Sequence, residues 1–275
     1  MRLPDFIALG PPRTGTTWLS RMLEGHVDLP LGVKETQFFT NFYSMGIEWY
    51  AHHFRNATGE RTIAEICPYF TSLKAPARIR RHLPDCRFLV TLRNPADHAY
   101  STYKMLLRGA FVRGTFDDVL NTRPHLDDAN RYAKIFTAWF EHFDRDRFLV
   151  MRFEELGDDP QGYLNRVCDF IGTPRISVLH DTRARTKYNT IDRAPRSRKL
   201  AQNARHLGYW LRRRHAYGVT RALGRMGVWE FCSGGGQIFP PLTPEQRAKL
   251  TERYLPEVES LERLLTLDLS DWKKP

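Results

Sequence analysis

Short apolar runs alternate along the chain with apolar positions at helical spacing. Phe6-Ile7-Ala8-Leu9-Gly10 is an apolar run ending in glycine, which predicts a buried strand. Beyond Pro11 to Thr17, the residues Trp18, Leu19, Met22 and Leu23 fall on one helical face. The pattern is strand, glycine-bounded loop, helix. Further strands are predicted at Thr62–Ile66, Arg87–Leu92 and Arg147–Met151. Helices are predicted from Pro95, with Asn94 as N-cap, through Leu107, and over Arg131–Phe143. Another runs from Tyr163 to Ile171 and ends at Gly172. The last opens at Pro244 with Thr243 as its N-cap. Strands alternating with helices predict an α/β fold: a single domain with a parallel β-sheet flanked by helices and a P-loop-like strand-loop-helix phosphate site.

Composition narrows the class. The balance of apolar and charged residues is that of a globular chain, and no apolar run approaches the roughly 18–20 residues needed to span a bilayer. The N-terminus has no signal-peptide pattern. Cys67, Cys86, Cys168 and Cys232 are scattered, without CxxC or metal-ligand spacing, as in a reduced, cytoplasmic protein. The formal net charge of +11 requires an anionic partner without naming it. Eleven Lys/Arg lie between Arg183 and Arg214 with Asp192 as the one acid, and Arg196 to Lys199 is the densest part. There, Leu200, Leu207 and Leu211 predict an amphipathic helix with Tyr209, Trp210 and Tyr217 turned inward. This charge is either a solvated helix face or a surface for cofactor, acceptor or anionic lipid. Ser233–Gly236 is expected to be a flexible loop.

The loop carries the chemistry. A glycine-rich turn between strand and helix offers backbone N–H groups and the positive helix end to an anion. Gly10 and Gly15 have Walker A spacing, but Thr16 stands where that motif needs lysine, and the loop's cation is Arg13. Thr14, Thr16 and Thr17 add hydroxyls. The plain alternative is a turn that merely joins strand to helix.

Pro11-Pro12-Arg13-Thr14-Gly15-Thr16-Thr17-Trp18-Leu19 resembles the 5′-phosphosulfate loop of sulfotransferases that use 3′-phosphoadenosine 5′-phosphosulfate (PAPS). The resemblance continues in order. Lys34-Glu35-Thr36-Gln37-Phe38-Phe39 is similar to the acceptor-side segment of heparan sulfate N- and 3-O-sulfotransferases, and Ala64 to Phe70 to their EKSATYF-like stretch. Leu92 to Tyr103 resembles the 3′-phosphate motif, and Phe148 to Leu156 the strand and FEEL turn. It covers about residues 5–172, and the C-terminal helix resembles bacterial relatives. It implies one sulfotransferase domain over 1–275, with that core, a basic insertion at about 180–240 and a C-terminal helix at 243–267.

The resemblance implies roles. Arg13, at the catalytic lysine position of the heparan enzymes, stabilises charge at the bridging oxygen and 5′-phosphate, since arginine does not give up its proton. Thr14, Gly15, Thr16, Thr17 and Trp18 join it in cofactor binding. Glu35 matches the catalytic glutamate that takes the acceptor's proton, in an expected aromatic setting (Phe38, Phe39, Trp49); otherwise it is a surface acid paired with Lys34. Gln37 and Phe39 fall on the substrate side. Arg93 and Ser101 match the 3′-phosphate ligands, Arg93 being otherwise a strand-end ion pair, and Phe153 matches an aromatic near the adenine. Ile66 replaces a lysine of the heparan enzymes, a departure that bears on the acceptor. His26 is expected to be structural, and the 233–236 loop is placed to close over the cofactor.

The expected reaction transfers the sulfuryl group of PAPS, without a metal, to a hydroxyl or amine of a glycan, lipid or small natural product, leaving 3′-phosphoadenosine 5′-phosphate (PAP). Segment 183–214 faces an anionic or lipid-linked acceptor or a membrane surface. Two other readings stay open: a nucleotide kinase on the same frame, and a basic nucleic-acid-binding module.

Overall fold

In this computed structural model, which describes residues 2–179, 181–184 and 193–274, the apolar runs become strands and the helical periods become helices. The elements begin β1 (Phe6–Gly10), α1 (Thr16–Leu23), α2 (Ile47–Ala51), β2 (Ala64–Ile66), α3 (Ala75–His82), β3 (Arg87–Leu92) and α4 (Pro95–Arg108). They continue α5 (Phe116–Thr122), α6 (Pro124–Asp128), α7 (Tyr132–Phe140), β4 (Phe148–Arg152), α8 (Phe153–Asp158) and α9 (Pro160–Ile171). The last are β5 (Arg193–Pro195), α10 (Arg198–Arg213), α11 (Tyr217–Arg225), α12 (Val228–Ser233), β6 (Gly235–Ile238) and α13 (Pro244–Leu265). The chain divides into two compact units, one of Met1–Arg93 and Lys134–Asn189, the other of Asn94–Ala133 and Thr190–Pro275. Arg185, Lys187 and Asp192 of the basic stretch lie outside the described residues.

The first unit holds the expected parallel sheet, in the order β2-β1-β3-β4. Side chains alternate across it. Phe6, Ala8, Leu89 and Met151 face a core closed by Trp18, Leu19 and Met22 of α1 and Leu164, Val167 and Cys168 of α9. On the other face Phe88 meets the rings of Trp139 at 5.4 Å and Phe143 at 4.7 Å. Helices and aromatics therefore cover both faces, which explains strands that are apolar throughout. β2 is shorter than the sequence suggests, because Ile63 instead bridges to Asp28.

In the second unit, Asn94 caps α4 by accepting from the Ala96 N–H, and Pro95 occupies the first turn. Ala99, Tyr100 and Tyr103 pack against Phe116 and Val119 of α5 and Leu250 and Tyr254 of α13. Thr243 and Gln246 form a capping box on α13. Two expectations change here. Gly235 and Gly236, expected in a flexible loop, begin β6, which pairs antiparallel with β5. A Cβ on Gly236 would lie 2.7 Å from the Ala194 carbonyl, so this glycine permits close strand approach. In α10, Leu211 of the expected stripe is buried, together with Ala201, whereas Leu200, Leu207 and Trp210, expected to be turned inward, are exposed. Among the described residues no helix is long and apolar enough to cross a membrane.

Replacing a fully buried leucine removes its transfer free energy and leaves a cavity. Leu164→Ala is expected to cost about 2–5 kcal/mol in urea unfolding, and Leu200→Ala within about 0.5 kcal/mol. Equal costs would contradict this assignment of core and surface.

Candidate functional site

The turn from β1 into α1 is tight and built on positive φ angles: 81° at Gly10, 71° at Arg13 and 82° at Gly15. A Cβ on Gly15 would meet Leu156 Cδ2 at 2.6 Å and the Phe153 ring at 3.4 Å, so only glycine lets α8 seat against the loop. Thr14 is buried, and its hydroxyl donates to the Pro11 carbonyl at 2.7 Å, tying the loop to itself. α1 has neither a side-chain N-cap nor an acidic residue in its first turn. The first N–H groups of a helix lack i−4 partners, so this end is open to an anion.

Across the loop stands the segment carrying Glu35. The Lys34 ammonium donates to Thr16 Oγ1 at 3.1 Å and to Glu35 Oε1 at 2.8 Å, so one lysine links the loop to the carboxylate. Both readings of Glu35 meet here: it is paired with Lys34, and that pair lies at the loop. Beneath them, Thr36 points inward onto Glu65 of β2, which is fully buried. Glu65 Oε1 accepts from the Thr36 N–H at 3.1 Å and from its hydroxyl. Glu65 Oε2 accepts from the Tyr50 hydroxyl at 2.6 Å, and the Tyr69 hydroxyl lies 3.1 and 3.2 Å from the two oxygens. Thr36 held inward sets its neighbours, and Gln37, at φ 55°, caps the turn that follows and receives Asn41 Nδ2 on its side chain at 3.0 Å.

Arg93 lies over the Phe153 ring at 5.0 Å and donates to the Arg13 carbonyl at 3.4 Å. The structure therefore brings Arg13, Gly15, Arg93 and Phe153 to one loop, with Thr16, Lys34 and Glu35 beside it. Trp18 is buried, its N–H donating to the Ala184 carbonyl at 2.9 Å and its ring edge-on to Tyr163. It packs behind the loop. Phe39, expected on the substrate side, is fully buried against the rings of Tyr50 and Tyr69 and is a core residue. Ile66 is likewise core, and His26 is an exposed residue of the turn after α1. Ser101 is buried in α4 of the second unit, whereas Arg93 belongs to the first. Lys34 and Glu65 are the residues that motif reading passed over. Glu65 gives one signal in the sequence, a lone acid within an apolar strand.

Residues 3–217 match the family model described as "Sulfotransferase domain". The chain belongs to that sulfotransferase family. It is 32% identical to mouse (Mus musculus) heparan sulfate glucosamine 3-O-sulfotransferase 3B1, over 64% of this chain and 47% of that protein. It is 28% identical to mouse bifunctional heparan sulfate N-deacetylase/N-sulfotransferase 4, over 96% of this chain and 30% of that protein. This sulfotransferase-family chain thus spans half or less of the length of these curated relatives. A sulfotransferase from Alicyclobacillus acidocaldarius shares the fold, with a TM-score of 0.69 and 21% identity over the whole of both chains.

Burial raises the Glu65 carboxyl above its ordinary 4.5, against the lowering by hydrogen bonds from Thr36, Tyr50 and Tyr69. The folded state then holds this proton more tightly than the unfolded chain. Ionisation of Glu65 therefore subtracts stability, beginning near 4.5 and complete above the raised folded value. The stability of the wild type relative to Glu65→Gln should fall as pH rises above about 4.5. Urea titrations across that range check it, and a flat or rising difference contradicts it.

Proposed function

We propose that this chain is a PAPS-dependent sulfotransferase acting on a hydroxyl or amine of a glycan. The observation that carries the proposal is the Lys34 bridge between Thr16 of the loop and Glu35, because it stands a carboxylate next to an anion-binding turn. Support for the acceptor class comes from the relatives, whose names specify heparan sulfate glucosamine. Burial of Ile66 where those enzymes carry lysine favours an acceptor that differs from heparan in charge, and lipid-linked or smaller hydroxyl compounds belong to the same reading.

The residues present fit the donor: an uncapped helix end, a loop with two glycines at positive φ, and a guanidinium stacked on an aromatic ring. When bound, PAPS supplies the sulfuryl group and departs as PAP. We assign Arg13, Gly15, Thr16, Thr17 and the first-turn N–H groups of α1 to the 5′ end, where fixed dipoles and a permanent cation meet negative charge. Thr14 shapes the loop from within. Arg93 serves the 3′-phosphate and Phe153 the adenine; Ser101 joins them on its sequence motif alone. Glu35 accepts the proton of the attacking O–H or N–H. Lys34 holds that carboxylate in place and offsets its charge beside the loop. Gln37 borders the acceptor. Four cysteines that are free thiols suit a reducing, cytoplasmic setting.

Glu35→Gln preserves shape but removes the proton acceptor. Its kcat for sulfuryl transfer from PAPS should fall about 10²–10⁴-fold with PAP affinity unchanged. Near-full turnover by this variant overturns the assignment of Glu35.

A further inference from the structure

The largest charge concentration lies in the second unit. Between Arg193 and Leu242 there are ten Lys/Arg and one acidic residue, Glu230, which pairs with Arg108. Part of that charge is used internally: Arg198 and Arg205 donate to the backbone carbonyls of Val112 and Gly109. Neither cation has a carboxylate partner among the described residues, and desolvation, followed by the nearby charges of Arg113 and Arg205, pushes the Arg198 pKa down.

The apolar residues of the same segment are turned out. α10 buries Ala201 and Leu211 on one side and packs against α11 and α12. On the arc that begins beside Leu211 and runs away from Ala201, at i, i+3, i+7 spacing, stand Lys199, Leu200, Leu207, Trp210 and Arg213, with Arg214 just past the helix end, all exposed. Leu200 and Leu207 are 42% exposed and Trp210 51%, with the Arg214 guanidinium 4.2 Å from its ring centroid. Val219, Met226, Phe231 and Ile238 of the adjoining elements are each more than half exposed.

We propose that this face, centred on the outer arc of α10, is a docking surface for an anionic phospholipid bilayer, with the helix lying in the plane of the headgroups. Both halves of its chemistry select that occupant. Leucine and tryptophan flanked by Lys and Arg match the boundary between acyl chains and anionic headgroups. A sulfated glycan or nucleic acid answers the cations but offers little to the leucines. A second copy would bring the same excess positive charge against itself. At 16 residues with five Lys/Arg, α10 can lie on a bilayer but not span it. The surface is independent of sulfuryl transfer.

Flotation of the full chain with phosphatidylcholine vesicles, with and without phosphatidylglycerol, tests the proposal. The chain should float with the anionic vesicles, release with added salt, and stay behind with the neutral ones. Arg213→Ser with Arg214→Ser should lower partitioning about 25-fold, at roughly five-fold per cation. Leu207→Ser with Trp210→Ser should lower it at least about ten-fold, and Trp210→Phe should largely keep it. All three variants should retain the wild-type thermal midpoint, so that loss of binding is not loss of fold. The proposal is overturned if anionic vesicles do not carry the chain, or if neutral vesicles carry it equally. It is also overturned if Leu207→Ser with Trp210→Ser leaves vesicle binding intact, as a polyanion surface would, or abolishes a dimer seen by sedimentation.

Discussion

A buried strand must reverse into a helix within five residues, and much of the site follows from that constraint. Gly10 and Gly15 supply backbone that other residues adopt only with strain, and Arg13 holds a left-handed conformation between them. The turn is then packed from behind by Phe153 and Leu156 and pinned from within by Thr14. An open helix end is thereby fixed instead of flexing, which is the condition for binding an anion without reorganisation.

The second constraint is electrostatic and lies one layer down. Glu65 places a carboxyl group in the interior of the first unit, satisfied by hydroxyls and an N–H. Such a group is costly unless its donors are held in register. Its register is what orients the Lys34–Gln37 segment, so the proposed proton acceptor depends on a residue that does not itself reach substrate. The arrangement also divides the aromatics: Phe38, Phe39, Tyr50 and Tyr69 pack around the buried acid, while Phe153 stays at the loop with Arg93.

Local signals were readable in the chain. Gly10 and Gly15, Pro95 after Asn94, and Thr243 before Pro244 each act within a few residues, and each element they announce is present. The parallel sheet followed from apolar strands between helical periods. What stayed hidden depends on distance along the chain. Lys34 reaches Thr16 across 18 residues, and Tyr50 reaches Glu65 across 15, and no spacing rule records either. Phe39 read as substrate-facing because a motif match does not reveal that Phe38 and Phe39 both turn inward. In α10 the leucine spacing was correctly helical, but the small residue Ala201, with Leu211, proved to be the packing side, and the exposed leucines became intelligible only beside the surrounding cations. Gly235 and Gly236 read as flexibility where the fold uses them for close approach.

In the proposed site, the loop and Arg93 together meet the two anionic ends of one adenine nucleotide bisphosphate. The most direct measurement is the thermal shift of the full chain with PAP, compared with ADP and with an oligonucleotide. PAP should give a saturable rise in midpoint that exceeds both of the others and is lost in Arg93→Ala. Stabilisation by ADP or the oligonucleotide with none from PAP would contradict it.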